Sequence, residues 1–186
     1  MTRCSWLPEG DKLYENYHDH EWGRPLHDDH KLYEMFVLEL FQAGLSWRII
    51  LGKREAFREA YDDFDINKVA CYDEKKVDEL MQNKAIIRSL NKIKASISNS
   101  KIILTIIKEY GSFNNYVWSF TNNQIIYELG KTTNAISDAM SKDLKKRGVK
   151  YAGSVTIYSF LQAVGVINSH EEDCFLYHRE KKPEVE

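Results

Sequence analysis

The chain has 186 residues, of which 43% are hydrophobic, 12% aromatic and 29% charged, with a formal net charge of −2. This composition suits one globular domain, residues 1–186, with a sizeable core, and excludes a disordered chain, a collagen-like repeat and a repeat array. No apolar run approaches the ~18 residues of a membrane helix, and the opening MTRCSWLPEG lacks the layout of a signal peptide, so a cytoplasmic protein without a membrane partner is expected.

Only three prolines and nine glycines interrupt the chain, and nearly every segment has helical rather than alternating periodicity, which predicts an all-α fold. A helix is expected over 29–42, with Asp28 or Asp29 as N-cap, Leu32, Met35, Phe36 and Leu40 on its apolar stripe and Gly44 as its stop. The next begins near Ser46, carries Ile49, Ile50, Phe57 and Tyr61, and ends before a turn at Asp62-Asp63. Short helices fit 65–71 and 73–82, and Ile86, Ile87, Leu90, Ile93 and Ile97 form a stripe that runs on to Gly111. In 113–128, Trp118 and Phe120 are core candidates and Asn122-Asn123 marks a turn. Ser137 can cap a helix bearing Ala139, Met140 and Leu144 and ended by Gly148. After the connector 148–153, a second helix, 154–164, stops at Gly165. The tail from about 179 to 186, KKPEVE at its end, should fray.

The helical hairpin at about 137–165 is the clearest local motif. Glycines 148 and 153 permit positive φ or close approach of another backbone, and the free amides opening the second helix form an anion site. Charge agrees with that reading. Residues 1–80 sum to −7, 81–170 to +8 and 171–186 to −3, and Lys142, Lys145, Lys146, Arg147 and Lys150 crowd the hairpin. Local excess positive charge can hold a phosphate backbone even on a slightly acidic chain, although a solvated helix face would look the same.

Glu39 lies inside the apolar run Met35–Phe41, where a carboxylate is expensive unless it is paired, protonated or aimed into a site. A structural ion pair with Arg54 is the competing explanation. Trp6, Tyr14, Tyr17, Trp22 and Trp47 are close to it in sequence, and flat rings with a carboxylate suit a planar cationic base. Three cysteines, Cys4, Cys71 and Cys174, are too few for a disulfide scaffold. His170 and Cys174 stand at i and i+4, and Cys4 and His18 could complete a four-ligand zinc site, with histidines 20, 27, 30 and 178 as competitors.

These residues resemble the bacterial 3-methyladenine DNA glycosylase I family of the helix-hairpin-helix superfamily. The resemblance is carried by Arg3-Cys4-x-Trp6, Tyr17-His18-Asp19-x-Glu21-Trp22-Gly23, Leu38-Glu39, Gln42-Ala43-Gly44-Leu45-Ser46-Trp47, Lys53-Arg54-Glu55, Val117-Trp118-Ser119-Phe120, Ser141 to Gly148, Tyr158-Ser159-Phe160-x-Gln162-Ala163-x-Gly165 and His170-x3-Cys174. It implies an all-α glycosylase fold with one structural zinc on Cys4, His18, His170 and Cys174, joining the N- and C-terminal segments. It also implies hydrolytic excision of 3-methyladenine from double-stranded alkylated DNA by a monomer without lyase activity. Glu39 corresponds to the base-recognising carboxylate, which stands in the catalytic position. Tyr17 and Trp47 correspond to the pocket walls and Trp6 and Tyr14 to further pocket aromatics. Gly44 and Leu45 match the turn that fills the gap in the duplex, and Gly148, Lys150, Gly153 and Ser154 the phosphate grip. Ala85 stands where the family has glycine, and Val149 and Tyr151 where it has phenylalanine. Other readings of the same residues are a non-catalytic helix-hairpin-helix module that binds DNA damage, and a zinc hydrolase acting elsewhere.

Overall fold

The computed structural model describes residues 1–177; the expected fraying of the tail lies outside them. Nine α-helices make up nearly all the regular structure among the described residues, as the all-α expectation requires. They are α1 (Lys12–His20), α2 (Asp29–Gln42), α3 (Trp47–Ala60), α4 (Ile66–Ala70), α5 (Glu74–Gln82), α6 (Leu90–Tyr110), α7 (Phe113–Ser119), α8 (Ala135–Lys146) and α9 (Ser154–Ala163).

Helix α2 is the axis of the molecule. Asp28 is its N-cap, accepting from the Lys31 amide at 2.9 Å. Asp29, the other candidate, instead accepts from the amides of Phe113 and Asn114 at the start of α7. Ten consecutive residues, Leu32 to Phe41, are buried, so this helix presents no solvent face through most of its length and packs against α3, α6, α7 and α9. A helix covered on every side is held in one rotational setting, because any turn about its axis would break packing everywhere.

Several expectations need correction. Helix α1 was not anticipated. Its low overall hydrophobicity hides the i, i+3, i+4 set Tyr14, Tyr17 and His18, which faces inward, and Asp11 caps it. Ile86 and Ile87 precede α6, which starts only at Leu90, and both Leu90 (44% exposed) and Ile49 (42%) face outward. Ser137 is not a cap: Asn134 is, and the two form a reciprocal capping box in which Ser137 is the third helical residue. Ala139 is consequently exposed. Two short strands, β1 (Ile126–Tyr127) and β2 (Ile167–Asn168), pair in parallel across 41 residues of chain, a contact that no local periodicity encodes. The turns at Asp62-Asp63 and Asn122-Asn123 are as expected, with φ between 50 and 60° at all four residues.

The hairpin of α8 and α9 is tied to the rest through Gly165. At φ +73°, a Cβ there would fall 2.1 Å from the carbonyl carbon of Arg24 and 2.4 Å from the nitrogen of Pro25. The loop before α2 crosses at this point, and its Gly23 and Leu26 amides donate to the carbonyls of Gln162 and Val164. Gly165→Ala should therefore destabilise the protein by roughly 3 kcal/mol or more, read by urea unfolding, through backbone overlap combined with a left-handed φ. A change below about 1 kcal/mol would mean that the crossing relaxes freely.

Candidate active site

A cavity of about 460 Å³ opens between the N-terminal segment, α1, the end of α2, the start of α3 and α9. It contains Glu39, Tyr17, Trp47, Trp6 and Tyr14, so the five residues expected at a base pocket are brought together. The aromatic rings run as a chain: Trp22 to Trp6 at 4.9 Å between centroids, Trp6 to Tyr14 at 5.4 Å, Tyr14 to Tyr17 at 6.3 Å and Tyr17 to Trp47 at 5.5 Å. Tyr17 and Trp47 are themselves buried, whereas Trp6, 37% exposed, stands at the rim.

Glu39 is 4% exposed, and its Oε2 is buried without a hydrogen-bond partner among the described residues. The Arg54 ion pair does not form. Arg54 donates to Glu34 at 2.5 Å and to Glu21 at 2.6 Å, and Glu34 also takes Arg58. Burial accordingly pushes the Glu39 carboxyl up to about 8. In the same cavity the Trp47 Nε1–H is also buried and unpartnered. A donor and an acceptor left open between aromatic rings define a slot for a flat polar ring, and the carboxylate favours a cationic one.

Gln42, Ser159 and Gln162, present in the motifs of the resemblance but without an expected site role, also line the cavity. Gln42 is three residues after Glu39, so helical spacing from an expected pocket residue was the available signal for it, whereas Ser159 and Gln162 on α9 were signalled only by their shared motif. Leu129 and Gly130, also at this cavity, follow β1 and had no such signal.

Beside the aromatic chain, Cys4, His18, His170 and Cys174 are all buried, with ligand atoms within 4.8 Å of one another. Three Sγ–N separations, Cys4 to His170, Cys174 to His18 and Cys174 to His170, are 3.5 to 3.6 Å, against ~3.6 Å for sulfur and nitrogen on a tetrahedral zinc. The imidazole atoms facing away are spoken for. His170 Nε2 donates to the Trp22 carbonyl at 3.1 Å and His18 Nδ1 to Asp19 at 2.8 Å, while Arg3 holds Asp19 from behind. That leaves Nδ1 of His170 and Nε2 of His18 directed at the sulfurs, the arrangement in which outer partners fix metal-binding tautomers. Burial holds His170 down to about 4, so its ring is neutral at pH 7, and pushes the Cys4 thiol up to about 12, a direction that a cation would reverse. The four residues therefore fit a metal ion. His20, His27 and His30 lie on other contacts: Asn16, Asn114 and Asp63 respectively; His178 is outside the described residues.

Of the residues expected to meet DNA, Gly44 and Leu45 adjoin the cavity, and the others lie on the hairpin that leads into α9. Gly44 takes φ +83° directly after α2, Leu45 is 37% exposed, and both line a recess of about 170 Å³ that joins Glu39 to Val155 and Thr156 of α9. In the hairpin connector Gly148 has φ +96°, but Gly153 is at −68°, and Tyr151 instead carries the second positive φ, +59°. Gly153 opens α9 without a side-chain cap, and the Ser154 hydroxyl is occupied by Asp138 and Ser137, so only the main chain is presented there. Lys150 is exposed, as are Lys142, Lys145 and Lys146, whereas Arg147 is consumed by Asp143 and Glu109.

The methyladenine glycosylase family matches residues 6–177. The chain is 45% identical to a DNA-3-methyladenine glycosylase 1 of Escherichia coli over 95% of its own length and 97% of the relative's. It is 41% identical to a DNA-3-methyladenine glycosylase of Haemophilus influenzae, covering 93% of this chain and 96% of that one. It superposes with a TM-score of 0.90 on a Staphylococcus aureus 3-methyladenine DNA glycosylase I, solved to explain 3-methyladenine recognition, at 36% identity over 100% of this chain and 99% of the other.

The burial of Glu39 permits a test that needs no substrate. With its folded pKa raised from 4.5 to about 8, the group contributes stability that is intact below 4.5 and is lost as pH rises through 8. Relative to Glu39→Gln, the parent should match at about pH 5 and be less stable by on the order of 2 to 4 kcal/mol at about pH 8.5 in urea unfolding. A gap that does not change with pH would place the carboxylate in water.

Proposed function

The chain belongs to the methyladenine glycosylase family, and from that premise we propose that it is a base-excision repair enzyme that hydrolyses the N-glycosidic bond of 3-methyladenine in alkylated double-stranded DNA. The observation that carries the reading is the buried Glu39 carboxyl, open to a slot walled by Tyr17 and Trp47.

The chemistry follows from the charge of the substrate. Methylation at N3 makes the base cationic, so water's oxygen can add to the sugar carbon while the bond electrons leave with the base, which departs neutral, and the added water gives up one proton to solvent. Little protonation of the leaving group is needed, and selectivity falls to the pocket. A base held in the duplex cannot reach it, and a damaged base is the least costly to turn out of the stack. Glu39, raised by burial, gains in the cationic base the opposite charge it lacks in the empty cavity and accepts its hydrogen bonds. Trp6 and Tyr14 close the outer wall. Leu45, on the turn made possible by Gly44, fills the space vacated in the duplex, while Gly148, Lys150, Gly153 and the Ser154 amide hold the phosphates. No lysine lines the pocket among the described residues, which supports hydrolysis without the amine-dependent lyase step.

Cys4, His18, His170 and Cys174 would hold one zinc, which when bound staples the N-terminal segment carrying Trp6 to the C-terminal segment, and with all four positions filled it takes no part in the reaction. No helix of the described residues is long and apolar enough to cross a membrane. Three unpaired cysteines suit a reducing cytoplasm. A monomer suffices, since every pocket element comes from one chain.

Purified protein should release 3-methyladenine from DNA treated with a methylating agent, identified by chromatography, and Glu39→Gln should slow release by about tenfold or more. Absence of release by folded parent protein would overturn the reading. Metal analysis should find one zinc per chain, and Cys174→Ser should lose it together with roughly 3 kcal/mol or more of stability. Parent protein without zinc, or a metal-free variant of undiminished stability, would reject the site.

A further inference from the structure

Helix α6 contributes nothing to the lining of the base cavity among the described residues, yet two of its side chains reach the two loops set against DNA. Lys92 Nζ donates to the carbonyls of Phe41 at 2.9 Å and Ala43 at 2.6 Å. Carbonyls at a helix C-terminus lack intrahelical partners and attract cations. Helix α2 has no basic residue in its own last turn, so the ammonium comes from α6, and Ala43 leads directly into the Gly44-Leu45 turn.

Asn99, 2% exposed, takes hold of Lys150 from both sides: its Oδ1 accepts from the Lys150 amide at 2.8 Å and its Nδ2 donates to the Lys150 carbonyl at 2.9 Å. Lys150 is central in the hairpin connector and precedes Tyr151, whose positive φ is unfavourable for a residue with a Cβ. A clamp on both polar groups of Lys150 fixes the connector in that shape without using a side chain that DNA could meet.

Lys92 and Asn99 are seven residues apart, two helical turns, so they share one stripe of α6 with ~10 Å of axial separation. The setting of α6 is fixed along the same stretch. Ser96 bonds the Tyr61 hydroxyl at 3.2 Å and Ser100 the Tyr33 hydroxyl at 2.6 Å, joining the same helix to α2 and to the end of α3. A wedge that enters the base stack acts only if it is in register with the grip on the backbone, and misplacement by about 1 Å degrades catalysis steeply.

We propose that Lys92 and Asn99 are positioning residues of the excision reaction, which through α6 set the spacing between the Gly44-Leu45 turn and the phosphate-holding connector; this rests on the glycosylase reading above. The two have separable effects. Lys92 governs the turn that stabilises the base-flipped state, and Asn99 governs the sequence-independent hold on the duplex.

The test compares Lys92→Met, Lys92→Arg and Asn99→Ala with the parent in three measurements. These are affinity for an undamaged duplex and for one with an abasic-site analogue, single-turnover release of 3-methyladenine, and quenching of the pocket tryptophans by free 3-methyladenine. Lys92→Met should keep undamaged-duplex affinity while its preference for the abasic duplex and its release rate each fall about tenfold, and Lys92→Arg should recover most of both. Asn99→Ala should weaken both duplexes together by about tenfold, with release at saturating protein near the parent rate. Free-base binding should be unchanged in all three. If Asn99→Ala does not fold, Asn99→Asp, which keeps the bond to the Lys150 amide and loses that to its carbonyl, carries the same expectation. Parent-like values throughout, losses identical in kind for the two positions, or loss of free-base binding would overturn the proposal. A parent that discriminates abasic duplex but releases no base would refute the glycosylase reading alone, and the two binding measurements would still decide the positioning.

Discussion

Helix α2 cannot turn, and the pocket depends on that. Ten buried residues in succession leave it no solvent face and one rotational setting, and this setting aims the Glu39 carboxyl into a cavity instead of toward any of the arginines nearby. An unpaired buried carboxylate is destabilising, so it persists only where surrounding packing is strong enough to hold it. The adjacent Glu34–Arg54–Arg58 cluster makes the contrast clear. Five residues earlier on the same helix, a carboxylate at the same depth is paired twice over. The protein can satisfy such a group, and at position 39 it does not.

Around this fixed element the flexible parts of the site are brought in from the ends of the chain. Trp6 lies in a segment with no regular structure and owes its place to Cys4, whose sulfur meets His170 and is met by the amide of Glu171, and to Ser5, bonded to the Glu171 carboxylate. His170 in turn bonds the carbonyl of Trp22, the next ring in the aromatic chain. The pocket wall and the Cys4–His18–His170–Cys174 cluster are thus joined by hydrogen bonds through main-chain groups, so the cluster bears on the shape of the cavity.

The face proposed to meet DNA shows the same division between contact and support. Gly44, Leu45, Lys150 and the first amides of α9 are at the surface, and each is short of local means to hold its conformation: a helix end without its own cation, a connector with a left-handed tyrosine, a helix start without a side-chain cap. Lys92 and Asn99 supply two of those missing partners from a single helix.

The sequence by itself determined the helical class, the limits of α2, the presence of a hairpin and, by its motifs, the composition of both clusters. The helices and the hairpin rest on local spacing, such as Leu32 to Leu40 at helical period and Asp28 as cap, whereas the membership of the clusters rests on the family resemblance, because Cys4 and His18 are far in sequence from His170 and Cys174. The sequence could not distinguish Glu39 in a slot from Glu39 in an ion pair, since neither Glu39 nor Glu34 is a local neighbour of Arg54 and spacing does not say which of them meets it. It also could not place Asn134 over Ser137 as cap, find the pairing of Ile126 with Ile167, or connect Lys92 with Ala43. The strand pairing and the Lys92 contact span 40 or more residues, and the cap and the Glu39 environment turn on competition among neighbours for the same partner. Only the packed chain, in which one rotation of α2 satisfies Arg54 with Glu21 and Glu34 and leaves Glu39 open, decides that competition.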